Sequence, residues 1–294
     1  MIYEGNEALV RRGSPEYYLR LPFMKIVIPL VLAAFALTVL LFGVYVEDTD
    51  ATLVGLVSEP AEATATPAAL RTPAAEAAPI AVIELFTSEG CSSCPPADRL
   101  LLDLAARDDA RLFPLAFHVD YWNRLGWTDP FSDAAYSERQ RAYARAVGSG
   151  RVYTPQMIVN GEDEFVGSRR VTAERAIQRA LDVPALATVD LQATVDGSSV
   201  RIDYAVMDAP SAAVLHLALV QTQAEQTVPR GENAGRTLRH ANVVRVFETV
   251  PAESGSQVLA LPDDLDAENA AVVAYVQTSG MKQIVGAARA SLTR

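Results

Sequence analysis

Two cysteines occur in 294 residues, three positions apart in Cys91-Ser92-Ser93-Cys94. Thiols at that spacing can close into one small disulfide, and reopen, with little rearrangement of the chain. The apolar run Ile80 to Phe86 precedes them, and Pro95-Pro96 with a helical pattern follows. Strand, short turn, helix is the setting in which Cys-x-x-Cys reads as a redox-active dithiol. A purely structural disulfide is a weaker account, because closing so short a loop removes little entropy from the unfolded chain. Zinc is weaker still, since a structural site takes four ligands and only three histidines or carboxylates remain to complete it. An inert disulfide and a metal site remain as alternatives.

The elements that position this pair read as follows. A strand over 80–86 leads into the Cys turn and a helix over about 95–107, with Leu100, Leu101 and Leu104 on one face. The two prolines fit only a helix's first turn. A second strand, about 112–119, contains Pro114, which suggests an edge position or a bulge. An aromatic loop from Asp120 to Ser132 precedes a helix over about 133–147. Met157–Val159, the turn Asn160-Gly161 and Glu164–Val166 give a hairpin, and a last helix spans 173–181. From Ala187 the pattern becomes strands only, at 187–195, 199–206, 213–221, 242–250, 256–261, 270–278 and 282–287. That spacing suggests a small β-sandwich.

The order β-α-β-α-β-β-α around a Cys-x-x-Cys turn resembles the thioredoxin fold. The expectation is thus an α/β thioredoxin-like domain over 80–183, followed by an all-β sandwich over 187–294. Such folds place a cis-proline opposite the Cys pair, and Thr154-Pro155 stands directly before the third strand. Proline is the residue for which a cis bond is cheap. The resemblance implies Cys91 as nucleophile at a helix N-terminus, where amide hydrogens lower a thiol's pKa. Cys94 would resolve the mixed disulfide, and Thr154 and Pro155 would contact an extended substrate. Thioredoxins also use a buried acid for proton transfer near the position of Glu84, although the spacing differs. An ion-paired or solvated Glu84 is the plainer account. His118 and Asp120, at the end of the second strand, invite three readings: base, ligand or structural hydrogen-bonding group. Tyr121, Trp122, Trp127 and Phe131 read as packing of their loop.

Three blocks carry a closer resemblance: Val82–Asp98, Phe117–Phe131 and Val152–Gly161. In this order they resemble the secreted thioredoxin-like bacterial family catalogued as domain of unknown function 1223, over about residues 80–290. The resemblance implies the fold and the Cys pair without specifying a reaction. Arg230 to His240, with three arginines, a histidine and two glycines, also resembles that family. It could face a partner or turn back to the Cys site, a long solvated loop being the plainer account.

Phe23 to Val46 is almost wholly apolar, with Lys25 its one charge. About 20 such residues span a bilayer. Arg11, Arg12 and Arg20 precede the run and acidic residues follow it, which orients the N-terminus inward. The expected order is a cytoplasmic segment 1–22, an anchor 23–46, an Ala/Pro-rich linker 47–79 and the domains beyond. This predicts inner-membrane anchoring with soluble domains in the periplasm, or secretion if the segment is a cleaved signal.

Lys+Arg 25 against Asp+Glu 36 gives a net charge of −11, which argues against a nucleic-acid surface. The leading expectation is a membrane-tethered periplasmic thiol–disulfide oxidoreductase acting on protein or small-molecule thiols and disulfides, with no cofactor. The runner-up is a copper(I) module built on Cys91, Cys94 and His118, whose soft ligands suit that ion. A non-catalytic assembly protein is the third reading.

Overall fold

In a computed structural model that describes residues 77–294, the first element is strand β1 (Ala81–Thr87), buried along its whole length. Continuous apolarity of this kind belongs to a strand covered on both faces. The chain then passes through the two cysteines into α1 (Pro95–Ala105), with Cys94 as N-cap and prolines in the first turn. Leu100, Leu101 and Leu104 of α1 join Ile83 and Leu85 of β1 in one buried cluster. Strand β2 (Leu112–His118) runs parallel to β1. A 3-10 turn (Asp120–Leu125) and α2 (Ala134–Ala146) follow, the latter capped by Asp133 accepting from the Ala135 amide at 2.8 Å. The hairpin β3 (Gln156–Val159) and β4 (Asp163–Val166) turns through Asn160 and Gly161, both at positive φ, before α3 (Arg170–Leu181).

The rest is strand: β5 (Thr188–Asp196), β6 (Ser199–Met207), β7 (Val214–Val228), β8 (Arg236–Pro251), β9 (Gly255–Ala260), β10 (Ala270–Gln277) and β11 (Ile284–Ser291). These strands do not close on themselves. One eight-stranded mixed sheet runs β11-β10-β7-β8-β2-β1-β3-β4, and β5-β6-β9 form a separate three-stranded sheet. The two regions of the large sheet meet where β8 runs parallel to β2, at the register pair Ala116–Val243. Asn242 Nδ2 secures this seam by donating to the Pro114 carbonyl at 2.9 Å. Phe117 of β2, Tyr136 of α2, Val244 of β8 and Tyr275 of β10 share one buried cluster across the seam. A further cluster packs Val200 and Ile202 of the small sheet on Leu217, Val272 and Ala274 of the large one.

The expected fold class is therefore corrected. The described chain is mostly β, built on one continuous mixed sheet, in place of an α/β thioredoxin-like domain followed by an independent sandwich. The expected strands of the C-terminal half are present, but β7 and β8 pair with the N-terminal half instead of isolating themselves from it. Pro114 is likewise not on an edge, because β2 has β1 on one side and β8 on the other. The expected 230–240 loop contracts, since β7 and β8 pair as far as Val228 and Arg236.

Inner-membrane anchoring also requires correction. Among the described residues no helix is long and apolar enough to cross a membrane, a statement that does not extend to β-barrels. Residues 23–46, on which that expectation rested, lie outside the described residues, as do the cytoplasmic segment 1–22 and nearly all of the linker.

Candidate functional site

Cys91 closes the turn between β1 and α1, and Cys94 begins the helix. Both are free thiols and both are buried. The backbone joins them tightly: the Cys94 amide donates to the Cys91 carbonyl at 3.2 Å, and the Ala97 amide to the Cys94 carbonyl at 2.8 Å. Three hydroxyl and thiol groups surround the Cys91 sulfur. Thr154 Oγ1 donates to it at 3.2 Å, Ser93 Oγ lies at 3.2 Å, and the Cys94 thiol hydrogen-bonds to it. The Thr154-Pro155 peptide bond is cis.

These contacts separate the two thiols electrostatically. The hydrogen bond from Cys94 is the largest influence on Cys91. Burial opposes it, and the Ser93 and Thr154 hydroxyls add to it, leaving the Cys91 thiol lowered to about 6. Burial pushes Cys94 well up, reinforced by its bond to Cys91 and by the nearby Asp98 charge. At neutral pH Cys91 is thus the thiolate and Cys94 the thiol.

Two indoles that the sequence suggests are packing residues instead hold this geometry by their N–H groups. Trp122 Nε1 donates to Thr154 Oγ1 at 2.8 Å, which leaves that hydroxyl's own proton for the Cys91 sulfur. Trp127 Nε1 donates to Glu89 Oε2 at 2.8 Å. The β7–β8 turn reaches the same place from far along the chain. Asn233 Nδ2 donates to the carbonyls of Glu89 and Cys91, at 2.8 and 2.9 Å, and the Ser92 amide donates to Glu232 Oε2 at 2.9 Å.

Behind Cys94 lies a buried polar cluster. Asp98 Oδ1 accepts from the Thr87 hydroxyl at 2.8 Å. His118 Nδ1 and Asp129 Oδ2 pair at 2.7 Å, and the same Asp129 oxygen accepts from the Glu89 amide at 2.8 Å. His240 crosses His118 edge-on, with ring centroids 4.7 Å apart, and faces Glu89 and Asp98. Burial disfavours a charged His118, but Asp129, Asp98 and Glu89 outweigh it and raise its pKa. Burial raises Asp98, with His240 and His118 pulling it back.

The sequence-derived site residues divide cleanly. Cys91, Cys94, Thr154 and Pro155 come together, and His118 stands in the cluster behind them. Glu84 lies elsewhere: it pairs with Arg139 Nε at 2.7 Å, accepts from Tyr275 at 2.9 Å, and also accepts from Tyr143. Asp120 is occupied with Ser137, whose hydroxyl donates to it at 2.5 Å while accepting from the Asp120 amide. Cys91, Cys94 and His118 form no metal cage, and among the described residues no group of three or more His, Cys, Asp or Glu side chains is placed to hold an ion. The sequence reading missed Glu89, Asp98, Asp129 and Asn233. Asp98 had a visible signal, a carboxylate one helical turn after the second cysteine. The others are brought in by pairings that no local pattern encodes.

Fold and site together define a Cys-x-x-Cys protein on a mixed sheet whose dithiol is framed by residues from both halves of the chain. The chain belongs to the family described as protein of unknown function (DUF1223), whose model matches residues 82–277. Among solved structures, protein AGR_C_4864 from Agrobacterium tumefaciens is 30% identical, covering 73% of this chain and 95% of its own, at a TM-score of 0.55. HBP35 of Porphyromonas gingivalis is similar in fold, at 18% identity, 74% and 76% coverage and a TM-score of 0.53. Comparison with curated proteins finds no match.

Proposed function

We propose that this chain is a thiol–disulfide oxidoreductase that uses Cys91 as nucleophile and Cys94 as resolving thiol, acting on protein or small-molecule disulfides and thiols. The observation that carries this reading is the asymmetry of the pair: Cys91 is lowered to about 6 beneath the Thr154 hydroxyl, while Cys94 is held well above the usual thiol range. A reactive thiolate beside a protonated resolving thiol is what stepwise exchange needs.

In the reducing direction, the Cys91 thiolate attacks one sulfur of a substrate disulfide and expels the other as a thiolate. Cys94 loses its proton and attacks Cys91 Sγ, breaking the mixed disulfide and releasing the second substrate thiolate. Two electrons pass to the substrate and one disulfide forms in the protein. Oxidation of a substrate dithiol is the reverse. Because Cys91 is buried and Glu232 and Asn233 hold the adjoining backbone, exchange also requires the β7–β8 turn to yield.

The test is exchange of the purified chain with glutathione disulfide, in wild type and in Cys91→Ser and Cys94→Ser. Wild type is expected to equilibrate with glutathione at a measurable potential. Cys94→Ser should accumulate a mixed disulfide on Cys91, and Cys91→Ser should accumulate none. A wild-type chain inert to every model disulfide overturns the reading.

A further inference from the structure

Five exposed arginines, from four separate stretches of chain, come to the turn that holds Cys91. Arg230 and Arg236 flank Glu232 and Asn233, the residues that hold the Ser92 amide and the Cys91 carbonyl. Arg124 belongs to the 3-10 turn that lies against the Cys turn, where a Cβ on Gly90 would meet Trp122 Cβ at 3.1 Å. Arg169 follows Gly167 by two residues, and the Gly167 amide donates to the Pro155 carbonyl at 2.9 Å. Arg99 stands on α1 five residues after the N-cap Cys94, about 7.5 Å along the helix axis.

Little local negative charge offsets this rim. Among the described residues none of the five pairs with a carboxylate, whereas Arg170 pairs with Asp103 and Arg239 with Glu225. Arg124 and Arg236 donate to neutral oxygens, the Tyr121 carbonyl at 3.2 Å and Asn233 Oδ1 at 2.8 Å. Glu232 is engaged by the Ser92 amide, and Glu89, Asp98 and Asp129 lie buried beneath, beside His118 and His240. The sequence as a whole carries −11, so positive charge gathered at the dithiol runs against the average of the molecule. Guanidinium groups match carboxylates in shape and charge. Converging charges of one sign raise the local concentration of oppositely charged substrate.

We propose that this rim binds carboxylate-bearing ligands and thereby selects disulfides flanked by carboxylates. This rests on the oxidoreductase reading above and names its substrate class. The arginines draw the anionic group to the Cys turn, and the adjoining sulfur is then presented to Cys91.

The test measures the rate at which Cys91 in the full chain attacks glutathione disulfide, which is net negative, and cystamine, which is dicationic. Each rate is divided by that of 2-mercaptoethanol with the same disulfide, which removes the intrinsic reactivity of the compounds. At 0.1 M salt, charges beyond about 10 Å are largely screened, so the rim outweighs distant carboxylates and glutathione disulfide should lead by about tenfold. At 1 M salt, with a screening length of about 3 Å, the lead should fall to about twofold or less. Arg99→Gln, Arg124→Gln and Arg230→Gln combined should bring it close to parity at 0.1 M salt. Disulfide-linked peptides with Glu or Lys beside the cysteine repeat the comparison. A larger lead with the peptides assigns polypeptide substrates, and a larger lead with the small compounds assigns glutathione-like ones. Equal relative rates in both pairs, or a lead that the triple variant keeps, overturn the proposal.

If wild type attacks none of these disulfides, the oxidoreductase reading fails, and the rim is judged by fluorescence. The two tryptophans of the sequence, Trp122 and Trp127, both adjoin it, Trp127 Cβ lying 3.4 Å from where a Cβ on Gly231 would stand. Iodide should quench them more strongly than caesium, each relative to N-acetyltryptophanamide, and the triple variant should lose the difference. Equal quenching by the two ions in wild type overturns the proposal.

Discussion

Asn233 donates its side-chain amide to the backbone carbonyl of Cys91 at 2.9 Å across a sequence separation of 142 residues. The same group reaches the Glu89 carbonyl, and Asn233 Oδ1 accepts from Arg236 at 2.8 Å, so one buried side chain ties the β7–β8 turn to the Cys turn. Removing it takes the side-chain donor from the Glu89 carbonyl and leaves the Cys91 carbonyl with only the Cys94 amide. Asn233→Ala is expected to destabilise the chain by about 1–3 kcal/mol and to speed iodoacetamide alkylation of Cys91. Denaturant midpoints and alkylation rates measured together check this. A slower-reacting Cys91 would contradict the turn's role as a cover.

Alkylation of Cys91 should rise through a pH midpoint of about 6 and level off above it. The sign for stability follows from the same shift. A thiol lowered in the folded state contributes stability that is complete above its unfolded value, about 8.5, and lost as pH falls through about 6. The stability difference between the reduced wild type and Cys91→Ser at pH 5 and pH 8 isolates it, with the larger wild-type advantage expected at pH 8.

Thr154→Val removes the hydroxyl that donates to the Cys91 sulfur. A hydrogen bond to a charged group is worth about 1.5–3 kcal/mol, so the Cys91 midpoint should move up by roughly one to two pH units. Trp122→Phe removes the indole bond that orients that hydroxyl and should move the midpoint in the same direction by less. Thiolate absorbance at 240 nm over a pH series reads both.

Arg139→Met takes the cation from a fully buried Glu84. Leaving that carboxylate unpaired should cost about 3–5 kcal/mol, read as a loss in thermal or denaturant stability. The Cys91 midpoint should stay near its wild-type value, because this network is separate from the Cys site.

Much of the local order was legible in the chain. Pro95-Pro96 marks the start of α1, Asn160-Gly161 marks the β3–β4 turn, and the alternating runs after Ala187 mark strands, because each depends on near neighbours. The Cys pair itself was equally plain. What local pattern did not reveal is how strands separated by a hundred residues would pair. Val220, Val243 and Val244 read as ordinary sandwich strands, and only the Ala116–Val243 pairing shows that they extend the N-terminal sheet. Residues 222–226 fall outside every expected strand and Arg236–His240 reads as loop, yet the burial of Ala224, Leu238 and His240 reveals a strand pair with one covered face. Glu84, close to the dithiol in sequence, invites a proton-transfer reading, but the plainer ion-paired account holds, through Arg139; Asp98 and His240 are the residues close in space.

A chain ending at residue 183 should not unfold cooperatively, since it would lose Val244, Ala218, Val273 and Tyr275 from the cluster that covers Phe86 and Phe117. Circular dichroism on heating, compared with residues 77–294, checks this. A sharp transition in the shorter chain would restore the idea of two independent domains.

The seam between β2 and β8 also orders events in time. The Cys turn leaves the ribosome well before Asn233, His240 and Val243, and at about 5–20 residues per second the 142-residue separation corresponds to roughly seven to thirty seconds. During that interval the Cys turn of the nascent chain lacks the Glu232 and Asn233 side chains that later hold its backbone. With only two cysteines in the sequence, no wrong intrachain bridge can form. The hazard during synthesis is therefore intermolecular, and it ends when the β7–β8 hairpin closes over the turn.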